Sequence, residues 1–422
     1  MTSANSLPAS RQAAPRHRLA RWLRPRLLAQ LDRFTGGTIA LVENDTRRCL
    51  GQGGPLEATV IIRHPRAWQR MALGGTVGAG EAYMDGDWDT DDLVTLVRLF
   101  AVNLEAVNAR MENGSARLAR WLLAGAYRLQ RNSAEGARRN IAAHYDIGND
   151  LFATFLDRRH WMYSSAVFPT ADASLEEAST YKLDLMLDKL GVAPDHHLLE
   201  IGTGWGGLAI HAAKTRGCRV TTTTISTEQH DHTARRIEEE GLGERITLLK
   251  KDYRDLTGTY DRIISVEMIE AVGHQYLDTY LAKIDGLLAL DGQAMLQAIT
   301  IRDQRFDAAK REMDFIKRYI FPGGFLPSHR AMIDSLARKT TLNVVGLEEI
   351  GRHYARTLRE WRHRFDASLE QVRELGYDER FIRMWRYYLC YCEGGFLERS
   401  IGTCQLLLAK PGARPVSHSG AS

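Results

Sequence analysis

The string Leu198-Leu-Glu-Ile-Gly-Thr-Gly-Trp-Gly-Gly207 sets Gly202, Gly204 and Gly206 between an apolar run and a helix-forming one. Glycines so placed let the backbone turn sharply and approach a ligand that side chains would block. That is chemistry for holding a nucleotide-bearing cofactor, with Glu200 at the loop mouth to meet the ligand or order the turn. Two readings stay open. Gly202, Gly204 and Gly207 also fit a dinucleotide site, which wants an acid at the tip of the next strand, about 20 residues on, for a ribose diol. Here that strand ends Val220-Thr-Thr-Thr-Thr-Ile-Ser226, with no acid before Glu228. This weakens a nicotinamide enzyme, and it departs equally from many methyltransferases.

A second chemical cluster is Glu267-Met-Ile-Glu270. On a helical turn these carboxylates would share a face, about 5–6 Å apart at Cβ, and compete for one site. His274, a few residues on, reads as a capping or surface histidine. Cys49, Cys218, Cys390, Cys392 and Cys404 are odd in number and lack zinc-site spacing, so they read as reduced thiols, with no metal expected.

These residues need a scaffold, and the chain supplies a strand–helix rhythm. Strands are expected at His197–Ile201, Arg219–Thr224, Ile246–Lys250, Arg262–Val266, Gln293–Ile299, Leu342–Leu347 and Thr403–Leu408, mostly separated by helices. Ser174–Leu190 is an amphipathic helix opened by a capping box of Ser174 and Glu177. The rhythm argues for a mainly parallel α/β sheet with helices on both faces. Upstream, residues 38–72 alternate in the strand manner with glycine turns at Gly51–Gly54 and Gly74–Gly80, and Asp91–Met111 is helical. Ala116–Leu129 reads as an apolar helix. The organisation read from this is a basic arm over 1–35, an α+β domain over 36–130, a linker over 131–140, an α/β domain over 141–410 and a disordered tail over 411–422.

Arg11, Arg16, Arg18, Arg21, Arg24, Arg26 and Arg33 crowd the arm, although the net charge is only +4. An arginine-rich arm suits lipid headgroups or nucleic acid, or is simply solvated. Met1–Ser10 lack a charged side chain, and no long apolar run follows the arginines, so no secretory signal is expected. No stretch reaches the roughly 18 apolar residues of a membrane span. The expectation is a cytoplasmic protein that meets the inner membrane face peripherally.

Several motifs flank the glycine loop in fixed order. They are His144-Tyr-Asp-Ile-Gly-Asn-Asp-Leu-Phe152, Met162-Tyr-Ser-Ser-Ala-Val-Phe168, Thr224-Ile-Ser-Thr-Glu-Gln229, Asp252-Tyr-Arg-Asp255, Ser265-Val-Glu-Met-Ile-Glu-Ala-Val-Gly-His274, Tyr319-Ile-Phe-Pro-Gly-Gly324 and His353-Tyr-Ala-Arg-Thr-Leu-Arg-Glu-Trp361. With Leu73–Gly86, this series resembles the cyclopropane-fatty-acyl-phospholipid synthase family, which includes the mycolic-acid cyclopropanating enzymes, over residues 70–410. The resemblance implies a Rossmann-like class I methyltransferase with a mixed, mainly parallel seven-stranded sheet, plus a small N-terminal lipid-engaging α+β domain. It implies S-adenosylmethionine as methyl donor and the cis double bond of an unsaturated phospholipid acyl chain as acceptor, at an anionic membrane surface. A second copy of the chain is the protein partner it allows; nucleic acid is not expected.

The same resemblance distributes roles. Tyr163 and Ser164 would face the methionine part of the cofactor, with Glu200, Gly202, Thr203, Gly204 and Gly206 around it. Thr224 and Gln229 would bind the ribose, and Asp252 and Tyr253 would lie near adenine. Methyl transfer to an alkene makes a carbocation, for which Tyr145, Tyr163, Trp205, Tyr354 and Phe396 are candidate cradles by cation–π attraction. A bicarbonate ion would take the proton and close a cyclopropane ring, held by Glu270, Tyr354, Ser165 and Gln297 beside the Ile299 backbone. Cys392 matches a cysteine assigned to the active site, though packing suits it better. Residues Arg302–Ser328 would cover the acyl channel, with Arg311, Lys317 and Arg318 placed to meet phosphates. The chain departs from the family pattern at Ser165, usually cysteine, at Gln297 and Ala271, usually histidines, and at Glu267, where better-known members have glycine. A methylene- or methyl-branched product therefore stays open beside the ring. So do the more distant readings of an oxidoreductase and a non-catalytic lipid-binding protein.

Overall fold

The computed structural model describes residues 14–104 and 148–414. The chain divides into two compact units, Met1–Ala119 and Arg120–Ser422.

In the first unit, α1 (Ala14–Leu31) precedes β1 (Gly37–Glu43), β2 (Thr46–Gly53) and β3 (Leu56–Ile62), followed by α2 (Arg66–Met84), β4 (Trp88–Thr90) and α3 (Leu93–Val102). The sheet order is β2-β1-β3-β4. Asn44 and Asp45, both at positive φ, make the tight turn between β1 and β2, a conformation these short polar residues tolerate. Alternate residues of β1 and β3 are buried, among them Ile39, Leu41, Val60 and Ile62. The turn expected at Gly74–Gly80 is instead the middle of α2, interrupted only at Gly75, where φ is 53°. The flanking apolar residues carry the helix across the break: Trp68, Val77, Tyr83 and Met84 are all buried. The expected helix at Ala116–Leu129, the whole linker and the motif residues 144–147 lie outside the described residues.

The second unit is built on a seven-stranded sheet of order β10-β11-β9-β8-β5-β6-β7. The strands are β5 (His197–Ile201), β6 (Arg219–Thr223), β7 (Ile246–Leu249), β8 (Tyr260–Val266), β9 (Leu288–Ile301), β10 (Asn343–Glu349) and β11 (Ile401–Ala409). Neighbours are parallel except that β11 runs against both β9 and β10. This is the Rossmann-like class I methyltransferase fold with its mixed sheet. Successive residues of the central strands point to opposite faces, which makes two cores. Leu199, Ile263 and Leu296 pack under α7 (Leu277–Leu287) and α8 (His329–Lys339) through Tyr280, Leu281, Ile284 and Leu336. Leu198, Ile264 and Met295 face α4 (Leu175–Lys189) and α5 (Gly207–Arg216) through Leu183, Leu187, Leu208 and Ala212. Ser174 and Glu177 form the expected capping box on α4. The remaining long helices are α6 (Thr227–Glu239), α9 (Gly351–Ala367) and α10 (Glu379–Leu397).

The chain leaves β5 outward to β6 and β7, then returns to β8 on the other side. Such a reversal opens a crevice at the carboxyl ends of the two central strands, where open α/β sheets bind ligands. No helix among the described residues is long and apolar enough to cross a membrane.

Candidate active site

β5 ends in Glu200 and Ile201 and runs straight into the glycine loop. Gly202, Gly204 and Gly206 hold φ of 102°, 52° and 82°, values that residues with a Cβ seldom adopt. A Cβ on Gly204 would meet nothing within 4 Å. The loop thus leaves open space next to bare backbone, and this geometry fits a cofactor laid across it. Glu200 is 3% exposed and accepts from the Thr222 hydroxyl; burial pushes its pKa up to about 8. Thr203 Oγ1 lies 2.7 Å from Thr222 Oγ1. At the end of β6, the Thr224 hydroxyl donates to Gln229 Oε1 at 2.9 Å, and both residues are buried. Asp252 and Tyr253, expected near adenine, each make contacts within the protein. Both Asp252 oxygens accept from Arg254, at 2.8 and 2.7 Å, so this carboxylate fastens the turn after β7. Tyr253 packs in the apolar core edge-on to Tyr280, and burial pushes its hydroxyl up to about 12.

Ser164 and Ser165 follow Tyr163 in an extended stretch. Lys182 on α4 is 0% exposed, and its ammonium donates to Ser164 Oγ at 2.8 Å. Burial pulls its pKa down to about 8. Sequence reasoning passed over Lys182; an isolated lysine at a core position of an amphipathic helix was the available signal.

The centre of the site is Glu267, the residue directly after β8. The Ser165 N–H donates to Glu267 Oε1 at 2.9 Å, the Gln297 amide to the same oxygen at 2.8 Å, and the Tyr354 hydroxyl to Oε2 at 2.7 Å. The sequence-based assignment gave these groups to Glu270. Glu270 lies apart from them on a 3-10 turn, Ile269–Ala271, where one oxygen accepts from the Ile299 N–H and Oε2 has no hydrogen-bond partner. The reason is backbone geometry. Glu267 has φ 50°, so it does not share a helical face with Glu270 and projects toward β9 instead. A left-handed backbone at a glutamate costs on the order of 1 kcal/mol or more, and glycine would adopt it freely.

Both glutamates are enclosed by protein yet keep accessible surface, as side chains lining an internal cleft do. Enclosure raises the pKa of both, and the charge of Glu267 helps push that of Glu270 to about 8. Ser165 Oγ turns away to the Ala166 carbonyl, so its contribution to Glu267 is made by backbone. Ala271 makes no side-chain hydrogen bond that could replace a histidine.

Aromatic rings wall the same space. Phe152 lies 4.8 Å from Trp205 and 5.0 Å from Tyr163 between ring centroids. Tyr163 continues to Trp361 at 5.3 Å, and Trp361 to Tyr354 at 6.1 Å. Tyr354 stacks on Phe396 at 4.5 Å. The series joins the glycine loop to the Glu267 cradle. Tyr388 adds a hydroxyl 3.0 Å from that of Tyr163. Phe152, Trp361 and Tyr388 were not singled out from sequence, although Tyr354 and Trp361 stand seven residues apart on α9, a helical spacing. Tyr145 lies outside the described residues. Cys392 shares α10 with Tyr388 and Phe396, and burial pushes its thiol far above the usual range, which disfavours the thiolate form.

The segment expected to cover an acyl channel buries Phe315, Ile320 and Phe325. Its Lys317 does not face outward: the ammonium donates to the carbonyls of Ala309 and Glu312. Arg311 and Arg318 are exposed. All five cysteines are free.

The comparisons with known proteins agree with this architecture. Residues 132–406 match the family described as mycolic acid cyclopropane synthetase. The chain is 39% identical over 374 residues to the tuberculostearic acid methyltransferase UfaA1 of Mycobacterium tuberculosis, covering 86% of each chain. It is 35% identical over 366 residues to the cyclopropane-fatty-acyl-phospholipid synthase of Escherichia coli, covering 86% of this chain and 91% of the relative. Among solved structures, the cyclopropane synthase MmaA2 from Mycobacterium tuberculosis superposes with a TM-score of 0.61 at 29% identity, covering 65% of this chain and 98% of that one. The mycolic acid cyclopropane synthase CmaA1, complexed with SAH and CTAB, gives 0.60 at 29% identity, with the same coverage of each chain. With its sheet order, glycine loop and matched length, the chain belongs to the mycolic acid cyclopropane synthetase family and is an S-adenosylmethionine-dependent methyltransferase.

Proposed function

We propose that the protein methylates the cis double bond of an unsaturated phospholipid acyl chain and that the Glu267 carboxylate takes the ensuing proton. The convergence of Ser165, Gln297 and Tyr354 on that one carboxylate, within an aromatic wall, carries this reading. When bound, S-adenosylmethionine supplies a methyl group on a positively charged sulfur. Tyr163, Ser164, Glu200 and the loop from Gly202 to Gly206 would hold it, with Thr224 and Gln229 at the ribose. Once the alkene has taken the methyl group, the acyl chain carries a positive charge. The faces of Tyr163, Trp361 and Tyr354 lower its energy by cation–π attraction, each contributing roughly 0.5–2 kcal/mol. The packed rings exclude water that would otherwise trap the cation.

Glu267 then serves twice. Its charge stabilises the cation, and its raised basicity suits it to accept a proton from a carbon acid. A bicarbonate held by Glu270, the base implied by the sequence resemblance, would need the three donors that Glu267 engages. It would also sit beside a like charge. The tethered carboxylate does the work of that ion.

Loss of a proton from the added methyl group closes a cyclopropane ring. If a hydride first moves to the neighbouring carbon, loss of the same proton leaves a methylene branch. We read the product as the methylene branch. Glu267 marks the departure from the glycine-bearing cyclopropanating pattern, and the tuberculostearic acid methyltransferase is the more similar of the two relatives compared over the full fold. The test is incubation with vesicles of monounsaturated phospholipid and methyl-labelled cofactor, followed by mass spectrometry of the fatty acids. A labelled methylene-branched acid is expected; a labelled ring assigns the product to cyclopropane, and no labelled fatty acid overturns the reading.

For the membrane, we propose that the arginine-rich N-terminal segment docks on anionic lipid. Trp22 is 57% exposed, with the Arg26 guanidinium 3.3 Å over its ring, a pairing suited to the headgroup layer.

A further inference from the structure

Gln297 reaches Glu267 as the last link of a buried chain of amides. Lys189, on the last turn of α4, donates to Gln405 Oε1 at 2.9 Å. Gln405 Nε2 donates to Gln297 Oε1 at 3.1 Å, and Gln297 Nε2 donates to Glu267 Oε1 at 2.8 Å. The middle links are directly paired residues of β11 and β9, 2% and 1% exposed. Lys189 is held in turn by Glu348 on β10.

The ends of this chain fix its direction. An ammonium can only donate, so Gln405 must turn its oxygen to Lys189 and its NH2 group inward. Gln297 must then accept on its oxygen and point its own NH2 at Glu267. A carboxylate only accepts, so the inner end agrees. A reversed Gln297 amide would set its oxygen against the carboxylate and favour the protonated acid, which is no base.

We infer that Gln405 and Lys189 are positioning residues that act through Gln297 to keep Glu267 in its carboxylate form. The inference rests on Glu267 being the base only for its effect on turnover, not for its effect on the ionisation of Glu267. Other groups face that carboxylate as well. Lys182 on α4 favours its charge, Glu270 opposes it, and the Tyr354 hydroxyl donates to it. Tyr388 on α10 lies within its field. The amide chain adds a directional donor to that balance.

The test uses Gln405→Glu and Gln405→Leu in the full chain. A glutamate at 405 accepts from Lys189 and also from Gln297 Nε2, so the Gln297 oxygen swings to Glu267. Leucine removes the link without enforcing the reversal. The ionisation of Glu267 is read by infrared pH titration, its carboxyl band being assigned by disappearance in Glu267→Gln. The Gln405→Glu variant should raise the midpoint by about one pH unit, and Gln405→Leu and Lys189→Met by less. Turnover by Gln405→Glu should fall up to about tenfold at pH values below the wild-type midpoint and recover above the shifted one. A purely structural role would lower the rate by the same factor at every pH with the midpoint unmoved, and that result overturns the inference. If Gln405→Glu does not fold, an unmoved midpoint in both Gln405→Leu and Lys189→Met overturns it equally. Should Glu267→Gln keep normal turnover while the midpoints shift, the base assignment falls and the relay stands.

Discussion

At the residue scale, the distinction that matters is between Glu267 and Glu270, three positions apart and different in every contact. Glu267→Gln keeps the shape of the cradle but removes the charge and the proton acceptor. Turnover is expected to fall by a factor of at least about a hundred, the usual contribution of a positioned base, with cofactor affinity kept. Glu270→Gln should do much less, because the Glu270 carboxyl accepts from the Ile299 N–H and from none of the donors that hold Glu267. The opposite ranking, with added bicarbonate stimulating the depleted enzyme, would return the base to a bicarbonate on Glu270. The loop gives a second prediction. Gly204 has φ 52° and open space at its Cβ position, so Gly204→Val combines a strained backbone with a side chain in the cofactor's path. Calorimetry on the folded variant should show no S-adenosylmethionine binding; wild-type affinity would remove the loop from the site. Both glutamates and the loop were visible in the sequence as residue types. What the sequence hid was the backbone sign at Glu267, since an αL glutamate has no local signature and follows from the hydrogen bond of its N–H to the Gln297 carbonyl.

At the scale of elements, the strands that carry the site were legible because a central parallel strand is apolar almost throughout, as in Leu198–Ile201. Their ends were less so: β9 runs from Leu288 to Ile301, well beyond the expected Gln293–Ile299. The leading residues Asp291 and Gly292 look like a turn, and pairing with neighbours overrides them. The Gly74–Gly80 run misled for the converse reason, tertiary packing holding a glycine-rich segment helical. What joins elements is harder still to read, and one such tie can be measured. Arg364 on α9 makes a two-pronged contact with Glu176 on α4, 2.8 Å on each oxygen, and holds its pKa down at about 2. Glu176→Gln should cost about 1–3 kcal/mol, the range for hydrogen bonds to charged groups. A folded-state value below the unfolded one means that the stabilisation is present above pH 4.5 and disappears as pH falls through about 2. Urea midpoints of wild type and variant should therefore differ at pH 7 and converge in acid; equal midpoints at pH 7 would show the tie to be idle.

At the scale of the whole molecule, charge is unevenly spread, and each sign has a consequence. The N-terminal arginines are the proposed contact with anionic lipid. Arg24 is better left in place as a test of this, because it pairs with Glu43 at 2.6 Å. Replacing Arg16, Arg18, Arg21 and Arg26 by glutamine should weaken binding to anionic vesicles by about 1 kcal/mol per arginine near the surface. Sedimentation unchanged across salt would exclude the segment as an anchor. The acids around the site act on folding itself. In the protein without cofactor, Glu200 and Glu270 titrate near 8 instead of 4.5, chiefly because burial disfavours their charge. Their folded-state values are raised, so the folded form keeps protons that the unfolded chain gives up. Their stabilisation is full below pH 4.5 and is lost as pH rises through about 8. His160 and His232 run the other way. Burial lowers them to about 3 and about 4, so their contribution fades as pH falls below 6.5. Between 4.5 and 6.5 the two carboxyls and two imidazoles oppose each other; above 6.5 the carboxyls still change, and Lys182, lowered to about 8 by burial, opposes them only as pH nears 8. Stability should therefore decline from pH 6.5 to 8. The slope is at most about 1.4 kcal/mol per pH unit for each carboxyl, and less for Glu270, which keeps accessible surface. Glutamine at 270 cannot titrate, so Glu270→Gln should make that decline shallower. Thermal midpoints measured at half-unit steps across this window test the point. A variant whose midpoint falls as steeply as the wild type's would mean that Glu270 is already ionised in the folded protein at neutral pH.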